Sequence, residues 1–151
     1  MLKMLSPLCV RSLYVQMSIT FRPAVARPAP EAVARFERGM GLLQEGALLV
    51  AGALAEIHRV AAYRIESCSS VYEWAERRKL SAAMARTLVS LHHAMELSEP
   101  LAKQVEERAV TIDAAAALEK IVRNPALTRP GEDWIAFATT ATTRDVMKKV
   151  L

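Results

Sequence analysis

Aromatic residues make up only 5% of this 151-residue chain, and there are two cysteines and three histidines. So little aromatic content argues against a β-sandwich or barrel, whose strands favour aromatic and β-branched side chains. Cys9 and Cys68 are far apart and fit no C-x-x-C pattern, so they read as free thiols in a reducing cytoplasm. No G-x-S-x-G, H-E-x-x-H or Gly-rich phosphate loop occurs. His92 and His93 are adjacent on a helical pattern and point about 100° apart, so they do not chelate as an i, i+4 pair would. The sequence therefore predicts no catalytic residue, no metal site and no cofactor. Long apolar runs are scarce too. Gly46 to Ala55, flanked by Glu45 and Glu56, falls short of the ~20 residues that span a bilayer. Met1 to Tyr14 has no sustained apolar core or small-residue cleavage site. The expectation is a cytoplasmic protein with no membrane partner.

What is present is alanine and leucine, within a composition 52% apolar and 24% charged. Both residues lose little entropy in helices, so the reading is an all-α, multi-helix bundle with an extended Pro-rich lead-in. Pro23, Pro28 and Pro30 mark that lead-in, which makes residues 1–29 a flexible N-terminal extension and 30–151 a helical domain. From Glu31 to Glu66, apolar residues Phe36, Met40, Leu43, Ala47, Val50, Leu54, Ile57, Ala61 and Ile65 recur every three or four positions and predict one buried stripe. Gly39, Gly41, Gly46 and Gly52 interrupt it at irregular spacing, which predicts a kink or break near Gly39–Gly46.

Ser70-Val71-Tyr72-Glu73 has the form of a capping box, opening a short helix from Val71 to Arg78 with Val71, Trp74 and Ala75 inward. Lys79-Leu80 turns the chain, and Ser81 caps a second helix from Ala82 to about Leu97. Its inner face is Ala85, Leu88, Leu91 or His92, and Met95. Ala83, Arg86, Thr87, Ser90 and His93 fall outside. Pro100, Thr111 and Thr142 with Asp145 mark further helix starts.

The unit at about 70–97 is thus a candidate helix-turn-helix. Small residues at the start of a helix let its backbone approach a groove floor, and Arg86 is long enough to reach a base edge or phosphate. Arg77, Arg78 and Lys79 at the turn are suited to phosphates. The candidate DNA-binding set is Arg77, Arg78, Lys79, Ser81, Ala83, Arg86, Thr87, Ser90 and His93. A net charge of +4 permits attraction to polyanions without demanding it.

The runs Ala53-Leu-Ala-Glu-Ile-His-Arg59, Cys68-Ser-Ser-Val-Tyr-Glu-Trp74 and Lys79-Leu-Ser-Ala-Ala-Met-Ala-Arg86 resemble the helical N-terminal domain that precedes HNH endonuclease domains in bacterial proteins. Pro100-Leu101, Val110-Thr-Ile-Asp113, Trp134 and Thr142-Thr-Arg-Asp145 continue the likeness. The middle stretch is also similar to the helix-turn-helix core of ParB-type partition proteins. The likeness covers roughly Ala47 to Leu151, with Cys68 where the family carries glycine. It implies a DNA-associated accessory module for double-stranded DNA, not an enzyme, because the His-Asn-His segment has no counterpart here. A homo-oligomer or a separate nuclease chain is the further partner expected. Two other readings compete: a helical protein–protein interaction module built on the apolar stripe, and a nuclease remnant without activity of its own.

Overall fold

The computed structural model describes residues 30–128 and 132–150, so the expected flexible extension over 1–29 lies outside the described residues. Those residues form helices and no strand: α1 (Pro30–Arg59), a 3₁₀ turn (Ala62–Glu66), α2 (Val71–Arg77), α3 (Ala82–Leu97), α4 (Glu99–Glu106), α5 (Ile112–Arg123), a short 3₁₀ turn (Pro125–Leu127), α6 (Trp134–Thr140) and α7 (Thr143–Val150). The all-α bundle predicted from alanine and leucine content is the one observed.

Most helix starts carry the cap the sequence offers. Ser70, Ser81, Ser98 and Thr111 accept from the amides of Glu73, Met84, Leu101 and Ala114 respectively. Asp133 accepts from both Ile135 and Ala136 amides. Each such bond satisfies one of the donors that a helix start otherwise leaves open. The Ser70 box is only half formed. The carboxylate of Glu73 passes over the Ser70 amide and accepts instead from the amide and hydroxyl of Ser69, at 2.8 and 2.7 Å.

Helix α3 lies at the centre and touches α1, α2, α4 and α5, and its most extensive contact is with α5. Its buried face is Ala85, Leu88, Val89, Leu91 and Ala94, and that of α5 is Ala114, Ala115, Leu118 and Ile121. Alanines at four of these positions shorten the distance between axes, and the larger Leu91 and Leu118, both 0% exposed, fill the layer between. Leu101 and Val105 of α4, Val110 and Val146 of α7 complete the core.

Helix α1 departs from expectation in two ways. It runs unbroken through Gly39–Gly46, so the predicted break is absent. Its apolar stripe is also not a buried one. Leu54 is 3% exposed, yet Phe36, Met40 and Leu43 are 66, 47 and 68% exposed, and Ile65, 87% exposed, falls in the 3₁₀ turn beyond the helix, which ends at Arg59 and not at Glu66. The buried residues of α1 are Gly41, Ala51, Leu54 and Ala55. The helix rests on the body from Gly41 onward, where the Arg108 guanidinium packs, and Gln44 donates to the Val105 carbonyl. Among the described residues α1 is also long and apolar enough to cross a membrane, with a mean hydropathy of 1.4 over its most apolar window. The ten residues of Gly46–Ala55 alone are not.

If the α3–α5 layer organises the fold, Leu118→Ala should cost about 2–5 kcal/mol through lost burial and an unfilled cavity. Urea denaturation followed by circular dichroism measures this, and a loss under 1 kcal/mol would show that the layer is not close-packed.

Candidate nucleic-acid interface

Helices α2 and α3 are joined by a turn built from main-chain hydrogen bonds. The Lys79 amide donates to the Glu76 carbonyl at 3.0 Å and the Leu80 amide to the Ala75 carbonyl at 3.1 Å. This is the Schellman pattern, in which the residue just past the cap adopts the left-handed region, where glycine is favoured. Lys79 occupies it with φ 68°.

Ser81, Ala83 and Arg86 are exposed along the first turns of α3, whereas Thr87, Ser90 and His93 are half-buried. Among the described residues no other helix covers the exposed three. Arg86 leans over the ring of Tyr72 in α2, its guanidinium carbon 5.1 Å from the ring centroid. It forms no ion pair among the described residues.

The two arginines at the turn are placed differently from the free phosphate contacts the sequence suggested. Arg77 donates to Glu73 Oε1 at 2.6 Å and to the Glu66 carbonyl at 3.0 Å. Arg78 donates to Glu66 Oε1 at 2.7 Å and stacks 3.7 Å from the centroid of Trp74. The Trp74 indole N–H donates to the same Glu66 oxygen at 3.0 Å; the ring is half-buried, packed against the core as expected and covered on its outer face by Arg78. Both guanidiniums stay about half exposed, at 50 and 44% of their side-chain area, so each retains a face toward solvent.

His93 is also engaged within the chain. Its Nδ1 lies 3.5 Å from Glu119 of α5, at the end of α3 away from the turn. The exposed part of the sequence-predicted set is therefore Arg77, Arg78, Lys79, Ser81, Ala83 and Arg86.

Glu66 was not foreseen in this role. It is 11 and 12 residues from its two arginines, across a 3₁₀ turn and a loop, and no short-range motif signals such a contact. A second unforeseen grouping is a cleft of about 650 Å³ between α1 and α3, lined by all three histidines with Glu56 and Glu96. Among the described residues, no three His, Cys, Asp or Glu side chains converge closely enough to hold a metal.

The acid–base state of the turn follows from these bonds. Hydrogen bonds from the Ser69 amide and hydroxyl, then from Arg77, lower the pKa of Glu73 to about 2. Glu66 is lowered as well, first by Arg78 and then by Trp74. Arg77 is raised, chiefly by Glu73.

Comparison with protein-family models, with curated proteins and with solved structures returns no match.

Two outcomes follow. A non-glycine residue in the left-handed region carries a strain of roughly 1–2 kcal/mol, so Lys79→Gly should stabilise the protein by about 1 kcal/mol. It should raise the urea midpoint at constant slope; an unchanged or lower midpoint would refute the strain. Glu73 titrates below its ordinary value of 4.5 when folded, so its contribution is fully present above pH 4.5 and is lost as pH falls through about 2. Glu73→Gln should flatten the acid limb of a stability–pH profile in that window. An acid limb identical to that of the parent chain would contradict the assignment.

Proposed function

We propose that the chain is a DNA-associated helix-turn-helix module in which the start of α3 approaches double-stranded DNA. The observation that carries this reading is the exposure of Ser81, Ala83 and Arg86 along one side of a capped helix, with no element of the described residues over them. Small side chains there allow the backbone close to a groove floor, and Arg86 supplies a long donor that can pair with a guanine edge or a phosphate. Lys79, Arg77 and Arg78 flank that helix start, where cations hold a phosphate backbone in register.

The unit carries its charge in two grades. Lys79 and Arg86 have no carboxylate partner among the described residues, whereas Arg77 and Arg78 are shared with Glu73 and Glu66. The paired arginines are oriented by their carboxylates and still offer donors to an anion. Each has part of its charge already compensated, so the affinity expected is modest. The proposal assigns no catalytic residue to this chain, in keeping with the resemblance to the helical domain ahead of HNH nuclease domains.

Fluorescence anisotropy with a labelled mixed-sequence duplex tests the reading. Binding should weaken with salt at a log–log slope of about −2 to −4, each phosphate contact contributing about −0.9. Arg86→Ala should weaken it roughly tenfold, within the range of one lost charge-assisted contact. No salt-dependent binding at low ionic strength, or an Arg86→Ala variant that binds as the parent does, would end the proposal.

A further inference from the structure

The exposed half of α1 has an order that the body of the protein does not use. Two of its glycines have local reasons to be small. A Cβ at Gly41 would meet the Arg108 guanidinium at 2.5 Å, and one at Gly52 would touch the His92 ring. Gly39 and Gly46 have no such reason among the described residues, none of which lies within 4 Å of where their Cβ would stand. They are seven residues apart, and Ala53, also exposed, lies seven further on. A seven-residue interval drifts only ~20° around a helix, so the three form one seam.

That seam runs between two apolar ridges. Leu42 and Leu49 stand on one side, 64 and 77% exposed, and Leu43 and Val50 on the other, 68 and 41% exposed. Beside the second ridge an open groove of about 510 Å³ runs against Leu80 and Met84. Contiguous apolar surface of this kind marks an interaction site.

The pattern is symmetric about Gly46. Leucines stand three residues to either side, Leu42 and Val50 four, and Gly39 and Ala53 seven. A two-fold axis at Gly46 sets each residue against one about as far beyond the centre on the same side of the seam, so this arrangement places like against like. We infer that α1 pairs antiparallel with α1 of a second copy of this chain, with the dyad at Gly46. Gly46 meets its own equivalent, Gly39 meets Ala53 of the second copy, Leu42 meets Leu49, and Leu43 meets Val50. The absence of side chains along the seam brings the two backbones close and lets the ridges interlock.

Charge selects the same direction. Antiparallel pairing sets Arg35 beside Glu56 of the second copy, whereas parallel pairing would set each charge against itself. Glu56 holds only a loose 3.8 Å contact with Arg59 and is exposed. A lipid surface is the less suitable occupant. The exposed half carries Glu31, Glu37 and Glu45 against Arg35 and Arg38, and interfacial helices are rich in basic residues. The inference does not depend on DNA binding.

Sedimentation equilibrium of the full chain over a wide concentration range, without DNA, tests it. A monomer–dimer equilibrium is expected, and Gly46→Lys should weaken it at least a hundredfold. The open space at Gly46 leaves the monomer's helicity by circular dichroism unchanged, and Leu49→Gln gives a second, milder variant with the same direction. Arg35→Glu and Glu56→Arg should each weaken the dimer, and the double variant should restore it. A monomer at every concentration, a dimer indifferent to Gly46→Lys, or the absence of charge-swap rescue would each overturn the proposal. So would a monomer that floats with vesicles containing phosphatidylglycerol, which would assign the face to lipid.

Discussion

The contact between α3 and α5 constrains everything else in this protein. Helix α3 is 16 residues long, about 24 Å, and is the element that four other helices meet. Its inner side is committed to Ala114, Ala115 and Leu118, and another sector to Ala51 and Leu54 of α1. What remains exposed is Ser81, Ala83, Met84 and Arg86 at its start, with Glu96 and Leu97 at its far end. Exposure at its start is thus a residue of packing on the other sides. The aromatic poverty of the chain fits this arrangement, because alanines at Ala85, Ala94, Ala114 and Ala115 let helices close on one another with few large rings to fill gaps.

Glycine is distributed against its usual logic. Among the described residues the left-handed positions fall to Ala61, Ser67, Lys79 and Arg108, none of them glycine. Meanwhile Gly39, Gly41, Gly46 and Gly52 lie inside a continuous helix, where each costs up to about 1 kcal/mol relative to alanine if exposed. Local preference is violated in both directions, and such violations concentrate where a sequence serves something other than its own folding. At Gly41 the reason is visible in Arg108, whose guanidinium fills the space and bonds Glu45 at 3.3 Å. At Gly39 and Gly46 nothing among the described residues supplies one.

This separation explains what could and could not be read from residues alone. Helix identity and most boundaries were legible, because capping is a local interaction: Ser81, Ser98 and Thr111 each announce a start within three residues. One inner face of α3, with Ala85, Leu88 and Leu91, was legible from its periodicity; the burial of Val89 and Ala94 and the half-burial of Thr87, Ser90 and His93 were not, because they come from packing on a second side. The exposure of Phe36, Met40 and Leu43 was not, because a stripe records which side of a helix is apolar and leaves open whether a partner lies within the same chain. Taken together, the four glycines of α1 look irregular; only when two are accounted for by Arg108 and His92 does the seven-residue spacing of the others emerge. At the turn, Arg77 and Arg78 look like free charge, since Glu66 reaches them through tertiary structure. The pairing of Glu73 with Arg77 was readable, being four residues apart on one helix.

Glu66 is the residue through which fold and candidate interface are joined. It ends the 3₁₀ turn that follows α1, and its side chain gathers Trp74 and Arg78 while its carbonyl holds Arg77. The 3₁₀ turn that follows α1 is therefore tied to the α2–α3 turn by charged and main-chain bonds, while the first turns of α1, up to Arg38, are exposed among the described residues. A helix anchored at one end and bare at the other holds any body docked on its exposed side in a fixed relation to the turn. The stiffness comes from the unbroken run of Pro30–Arg59, which a break at the glycines would have removed. Continuity of α1 through Gly39–Gly46 is thus a mechanical property as well as a departure from propensity. It makes the apolar seam and the start of α3 two faces of one rigid unit.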